Sequence, residues 1–315
     1  MQRILDPAQI EAFAERSIPR VRLPDPQSLF AQRAQRLRAL GERHSLGDYL
    51  RLMGALADAQ QVQLNALRTA LLSEQFAQHL GQQIEVAHTH RMPMLQPSGW
   101  PRQDRWRVIL RDLCMAVAMA PGFPVAVHSV CERIAASSAA EIEARADLLI
   151  APRSEAVDTQ AAPFVMAALQ VYWAAMASTL RVGDVAQLDV PTVCPVCGCL
   201  PVASIVRSDK RSPQGYRYLH CGLCATEWHM VRITCSHCLT NEGITYNSIE
   251  GGSEAVRAET CGKCQTYRKI LYQEKDNDVE PVADDLASLA LDLLMSQEGF
   301  HRGSGNPLLW QHSEA

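Results

Sequence analysis

From the N-terminus to about residue 185, apolar side chains recur at steps of three and four, the spacing of one face of an α-helix. Asp6-Pro7 and Asp25-Pro26 each set a capping acid before a proline, which suits a helix start because the missing proline N–H has no intrahelical partner there. The helix after Asp25 carries Leu29, Phe30, Ala34, Leu37 and Leu40 on one face and stops at Gly41. The next opens near Ser45 and buries Leu46, Tyr49, Leu50, Met53, Leu56 and Ala57. From Glu85 to Arg102 the pattern lapses into a Pro- and Gly-marked loop that contains His88 and His90. Periodicity resumes at Trp106, Ile109, Leu113 and Val117, breaks at Pro121-Gly122, and returns through Val127, Val130 and Ile134 and again through Ile142, Ala146 and Leu149.

From Thr159 to Leu180 no residue is charged, and the run is long enough to span a bilayer. It is Ala-rich, carries Gln170, Ser178 and Thr179, and lacks the Leu, Ile and Phe density that favours insertion. The expectation is a helix buried in a soluble bundle, not a membrane span.

Near Gly183 the pattern changes. VASIVRSDK, GYRYLHC and EWHMVRITC read as short strands around Pro213 and Gly215. Eight cysteines punctuate this region as four Cys-x-x-Cys pairs: Cys194/Cys197, Cys221/Cys224, Cys235/Cys238 and Cys261/Cys264. A Cys-x-x-Cys turn aims two thiolates at one ion, and two such knuckles close a tetrahedral site, so four knuckles make two sites. Cys197 and Cys221 are separated by 23 residues and Cys238 and Cys261 by 22, whereas only 10 lie between Cys224 and Cys235. The knuckles therefore pair in order. An internal repeat supports this: Cys194 to Cys235 is 41 residues and Cys221 to Cys261 is 40. Arg217 and Arg257 each precede the third ligand by four, and Thr226 and Thr266 each follow the fourth by two.

The fold class that results is multidomain α plus small β. A helical domain (1–188) precedes two tandem rubredoxin-like or zinc-ribbon modules (189–232 and 233–275) and a C-terminal helix with its tail (276–315). Metal should hold the modules folded, and loss of a ligand such as Cys221 is expected to leave the helical half intact. In the last segment Val282, Leu286, Leu289, Leu293 and Leu294 form one apolar stripe, Asp284 and Asp285 suit the positive helix start, and Gly299 ends the helix. Such a helix is expected to dock on its own protein.

Composition narrows the chemistry. The 315 residues are 47% apolar but only 6% aromatic, which favours helices outside the cysteine region, and the net charge is −4. The chain opens without a signal-peptide apolar core, so a cytoplasmic, reducing setting is expected and disulfides are not. A thioredoxin-type redox motif needs one reactive pair in a βαβ setting, not four in a row. Cys114 and Cys131 sit on apolar helical faces and Cys199 two residues past a ligand; none is counted as a ligand. Four sulfurs per site leave no vacancy for His220 or His237, and His88 and His90 lack a third partner. A zinc-ribbon adaptor that binds nucleic acid or proteins is the alternative. From Cys194 to Lys275 there are 10 Lys and Arg against 7 Asp and Glu, and two four-thiolate sites at about −2 each cancel that surplus, so nucleic acid is not expected as a partner. No phosphate loop, nucleophile elbow or metalloprotease helix is present, so no turnover reaction is expected.

CPVCG, HCGLC, TCSHC and TCGKC, followed by ADDLASLALDLLMSQEGF and GNPLLW, resemble the formate dehydrogenase accessory protein FdhE family over essentially the whole chain. The resemblance implies a cytoplasmic maturation factor for respiratory formate dehydrogenases that binds their catalytic subunit and carries rubredoxin-like iron centres on the eight paired cysteines. Tetrahedral sulfur suits zinc as well as iron, so iron is favoured by the resemblance alone. A homodimer is compatible with this reading.

Overall fold

A computed structural model describes residues 18–70, 74–151, 157–209 and 212–310. The helix expected after Asp6-Pro7 lies outside the described residues. Seven α-helices precede the cysteine region among them: α1 Leu29–Gly41, α2 Gly47–Ala70, α3 Glu74–His90, α4 Arg105–Met119, α5 Val125–Ala136, α6 Ala139–Ile150 and α7 Ala162–Ala177. The Asp25 carboxylate accepts from Gln27 N (3.0 Å) and Ser28 Oγ (2.6 Å) in a turn, and its carbonyl accepts from Leu29 N (3.0 Å) as α1 begins. Phe30, Ala34 and Leu37 face inward as their spacing requires. At Ser138 a capping box with Glu141 starts α6.

One boundary differs from expectation. Helix α3 continues to His90, well into the segment read as loop, because Ala87 is buried and keeps the helical step that the polar residues around it conceal. His88 therefore projects from the helix, where its Nε2 lies 3.1 Å from the carbonyl of Asp184, and His90 is exposed.

The uncharged run forms α7, and all sixteen of its residues are buried. No helix among the described residues is long and apolar enough to cross a membrane. Burial on every side demands that the lone amide be satisfied, and it is. Gln170 Oε1 accepts from Gln60 (3.0 Å) and Arg33 (3.4 Å), while its Nε2 donates to the carbonyl of Gly222 (2.7 Å).

The strands are β1 Val21–Arg22, β2 Pro201–Asp209, β3 Ser212–Cys221, β4 Glu227–His229, β5 Ile244–Asn247, β6 Val256–Cys261, β7 Thr266–Tyr272 and β8 His301–Arg302. They join in the order β1-β4-β3-β2-β7-β6-β5, with β8 beside β7. The repeat is visible in this order: β4-β3-β2 and β7-β6-β5 are equivalent antiparallel triplets, and β2 joins β7 in parallel through Ser204↔Ile270, Ile205↔Leu271 and Val206↔Tyr272. In EWHMVRITC only Glu227–His229 is strand; the remainder leads by turns into the third knuckle. Gly215 has φ +67°, and a Cβ there would lie 2.3 Å from the Arg207 carbonyl oxygen, so β2 and β3 approach this closely only with glycine.

The C-terminal helix docks on its own protein, but it is broken. Helix α8 spans Pro281–Ala287 and α9 spans Leu289–Gln297. Lys269 Nζ, buried at 1% exposure, donates to the carbonyl of Asp285 (2.7 Å), and Ser288 Oγ donates to that of Asp284 (2.7 Å). The Asp285 carbonyl also takes the cap N–H of Ser288 (3.4 Å), where α8 ends. The single apolar stripe fails for the same reason: after the break the buried face is Leu291 and Met295, while Leu293 (68%) and Leu294 (42%) are exposed. Asp284 and Asp285 do more than favour a helix start. Arg36 binds Asp284 at 2.6 Å and Asp276 at 2.7 Å, Arg33 binds Glu280 at 3.0 Å, and Asp285 faces Lys269, Arg302 and Asn306. Helix α8 thus ties α1 to the sheet.

Candidate metal centres

Each knuckle is the same turn used four times. The residue after its second cysteine has a left-handed backbone: Gly198 (φ 78°), Ala225 (φ 58°), Leu239 (φ 63°) and Gln265 (φ 55°). That reversal returns Gly198 N to Cys194 O (2.8 Å), Leu239 N to Cys235 O (3.1 Å) and Gln265 N to Cys261 O (2.9 Å). The first cysteine N–H of three knuckles then donates five residues ahead, from Cys194 to Cys199, from Cys221 to Thr226 and from Cys235 to Thr240, at 2.8–2.9 Å. Cys199 contributes this carbonyl, and its sulfur stands outside the four-sulfur group. At Gly198 a Cβ would also meet Pro93 Cγ at 3.2 Å, a tight contact that glycine avoids and that is added to the positive φ the other three knuckles accept with a side chain.

The turns bring the eight cysteines into two groups, Cys194 with Cys197, Cys221 and Cys224, and Cys235 with Cys238, Cys261 and Cys264, each with its sulfurs within 4.8 Å of one another. The ordered pairing expected from spacing is the one found. Cys194···Cys224 is 3.5 Å and Cys197···Cys221 3.4 Å; Cys235···Cys264 and Cys238···Cys261 are both 3.7 Å. A metal–sulfur bond of about 2.3 Å in a tetrahedron sets the sulfurs about 3.8 Å apart, so both groups have the donor set and the spacing to hold one ion. All eight cysteines are free thiols.

Electrostatics point the same way. Burial pushes the thiols of Cys194 and Cys197 well above the ordinary range, while hydrogen bonds from Cys194, Cys197 and Cys224 outweigh burial at Cys221 and pull it well below. Four thiolates crowded in a dry site repel, and a cation is what makes all four favourable. Backbone N–H groups aim at the first sulfurs, Leu223 and Cys224 at Cys221 and His237 and Cys238 at Cys235, all at 3.4 Å. The repeated threonines have equivalent places: Thr226 Oγ1 lies 3.2 Å from Cys224 Sγ and Thr266 Oγ1 3.0 Å from Cys264 Sγ. A hollow of about 10 Å³ beside the second group has room for at most one water.

Histidines stay out of both groups. His220 pairs with Glu227 (3.2 Å), and His237 is exposed beside Cys238. Cys114 and Cys131 are buried on α4 and α5, away from both groups. What sequence reasoning missed is Arg217. Its guanidinium donates to Glu259 of the second triplet (2.6 Å) and to the carbonyls of Val231 (3.3 Å) and Thr234 (2.9 Å), one residue before Cys235. Both side chains are essentially dry, at 0% and 4% exposure. Burial raises the Glu259 carboxyl against the pull of Arg217 and Arg268, and burial together with the Arg217 charge lowers Arg268 to about 10. The sequence signal was the Arg217/Arg257 repeat, whose second member instead stacks on Tyr272 at 5.3 Å.

A helical bundle that shares its core with a sheet bearing two tandem four-sulfur groups defines a two-centre ribbon protein, each group having the donor set to hold one ion. Family models described as the N-terminal, central and C-terminal domains of FdhE match residues 18–189, 193–232 and 233–309, and the chain belongs to the FdhE family. An FdhE homolog of Cronobacter sakazakii is 42% identical over 312 residues, covering 98% of this chain and 97% of that protein. FdhE of Salmonella paratyphi A is 42% identical over 294 residues, 93% of this chain and 92% of that protein. The crystal structure of the FdhE protein from Pseudomonas aeruginosa superimposes with a TM-score of 0.80 at 36% identity, over 92% of this chain and 99% of that one.

Proposed function

We propose that this protein is a cytoplasmic maturation factor that binds the catalytic subunit of a respiratory formate dehydrogenase and supports its assembly or activation, with no turnover chemistry of its own. The observation that carries this reading is the coincidence of full-length FdhE membership with two closed four-sulfur groups on one rigid sheet. The eight cysteines would each give one thiolate, Cys194, Cys197, Cys221 and Cys224 to the first ion and Cys235, Cys238, Cys261 and Cys264 to the second. Iron is the favoured ion, and zinc fits the same donors. Iron in four thiolates supplies one-electron chemistry without a change of ligands, which would suit a redox step in the maturation of another metalloenzyme. Modules 189–232 and 233–275 would then present rigid recognition surfaces beside the helical domain.

The test is a pull-down of the dehydrogenase catalytic subunit by the wild-type chain and by Cys194→Ser and Cys235→Ser, paired with formate oxidation in cells that lack the native protein. Wild type should bind the subunit and restore activity, and both variants should lose at least part of each. Full restoration by the variants would make the metal modules dispensable and defeat the reading. Capture of nucleic acid in place of the subunit would put a ribbon-type nucleic-acid binder in its stead.

A further inference from the structure

The two groups are built from the same turn but live in opposite surroundings. In the first, the residues between the cysteines are Pro195-Val196 and Gly222-Leu223; in the second they are Ser236-His237 and Gly262-Lys263. Of the second group's spacers His237, Gly262 and Lys263 face water, while Ser236 is buried. All four cysteines of the first group are at most 1% exposed, and they belong to the large apolar cluster that also contains the centre of α7. In the second group Cys238 is exposed, Cys264 is half-buried, and His237, Gly262 and Lys263 are exposed beside them. The apolar cluster near it has only Val256, Ala258, Tyr267, Leu291 and Met295 as buried members.

The anchoring differs as well. The carbonyl of Val196 accepts from Leu95 N (2.9 Å), and the carbonyl of Leu95 accepts from Trp173 Nε1 (2.8 Å), so the first knuckle is fastened to α7 through one residue. The second knuckle receives Gln170 through the Gly222 carbonyl (2.7 Å). Opening this group exposes the protein core. In the third knuckle the tie to the body is Ser236, which accepts from Arg268 Nε (2.8 Å), while the half that carries His237 and Cys238 lies against solvent. Opening that half exposes almost nothing apolar.

We propose that the two centres divide the work: the first keeps its ion for the life of the fold, whereas the second is an exchange site, where a soft divalent ion enters and leaves through Cys238. This rests on the reading that both groups hold an ion. Exchange is a ligand substitution with an external thiol. The Cys238 sulfur–metal bond breaks as a bond from the incoming sulfur forms; the incoming thiol gives up its proton, the Cys238 thiolate takes one up, and no oxidation state changes. The exposed imidazole of His237 adjoins the ligand that departs, and the first group has valine at the matching position.

The full chain, reconstituted with zinc as the probe ion, is mixed with a chromogenic chelator, with and without millimolar glutathione, while far-ultraviolet circular dichroism follows the helices. One of two equivalents should leave with the helical signal unchanged, faster with glutathione, and roughly a hundredfold or more ahead of the other, because a local opening costs far less than a global one. Among the eight grouped cysteines iodoacetamide should modify Cys238 first and leave Cys194, Cys197, Cys221 and Cys224 intact until the chain unfolds, with the half-buried Cys199, outside both groups, alkylated separately. Cys238→Ser should keep the slow equivalent and lose the fast one; His237→Ala, which keeps all four sulfurs, should slow the fast phase. Release of both equivalents in a single phase, or alkylation of the first group at the rate of Cys238, would overturn the division. Fewer than two equivalents on the wild-type chain would defeat it together with the metal assignment beneath it. No dehydrogenase is present, so failure to bind that subunit leaves this result standing.

Discussion

Glu227 shows how much a single buried charge is asked to do. It pairs His220 (3.2 Å) across the turn of the second knuckle, meets Arg22 (3.3 Å), and accepts two bonds from Arg207, all at 6% exposure. Burial alone would raise its carboxyl; the Arg207 charge and the His220 hydrogen bond outweigh burial and hold it well below the usual carboxylate range. The folded pKa is therefore lower than the unfolded one, and the unfolded chain binds more protons on acidification. The stabilisation is complete above the ordinary carboxylate pKa of about 4.3 and fades as pH falls through the depressed value. Glu227→Gln should cost on the order of 3 kcal/mol at pH 7, the scale for breaking a buried pair. The gap to wild type should narrow as urea titrations move from pH 5 toward pH 3. A gap that is constant with pH would show that the charge is not what Glu227 contributes.

At the scale of elements, what was legible and what was not separate by range. Helix faces, the buried uncharged helix and the ordered pairing of knuckles depend on residues a few steps apart or on a repeat, and the sequence carries both. The break between α8 and α9 was not legible, because a lysine sixteen residues upstream on β7 takes the carbonyl of Asp285. Nor was the parallel join of β2 to β7, since each strand satisfies its own triplet's pattern and nothing local marks its second edge. Leu293 and Leu294 were misplaced on the apolar face for the same reason, as periodicity cannot register a change of axis. Lys269 is thus the element-scale test. Lys269→Met leaves Asp285 and Asp292 without their shared ammonium and should cost about 3–5 kcal/mol, the penalty for stranding buried charge. A lower denaturation midpoint at unchanged m-value is the expected outcome; an unshifted midpoint would mean that Arg302 alone suffices for both carboxylates.

Across the whole molecule, the apolar cluster runs without interruption from Phe30 and Trp173 to Cys194, Cys197, Cys221 and Cys224, and this changes the expectation that loss of the first ion would spare the helical half. A structural four-ligand zinc site contributes on the order of 10 kcal/mol of folding free energy. The net stability of a domain is only about 5–15 kcal/mol, so loss of an ion held by the first group would withdraw most of what holds the shared core closed. Gln170 adds a specific route, because its amide reaches the Gly222 carbonyl inside the second knuckle from the middle of α7. If that knuckle loosens, a buried amide and a buried carbonyl lose their bond together, at about 1–3 kcal/mol for each unsatisfied group. Cys221→Ser should therefore lower the thermal midpoint of the helical signal by 10 °C or more on the order-of-magnitude scale set by melting entropies. Cys261→Ser, at the equivalent place in the outer group, should move it far less, because the small apolar cluster around that group is separate from the one that contains α7. Circular dichroism melts at 222 nm of the two variants side by side decide the matter. Equal shifts would mean that the sheet, not the core, transmits the loss, and an unmoved Cys221→Ser melt would restore the helical half as an independent folding unit.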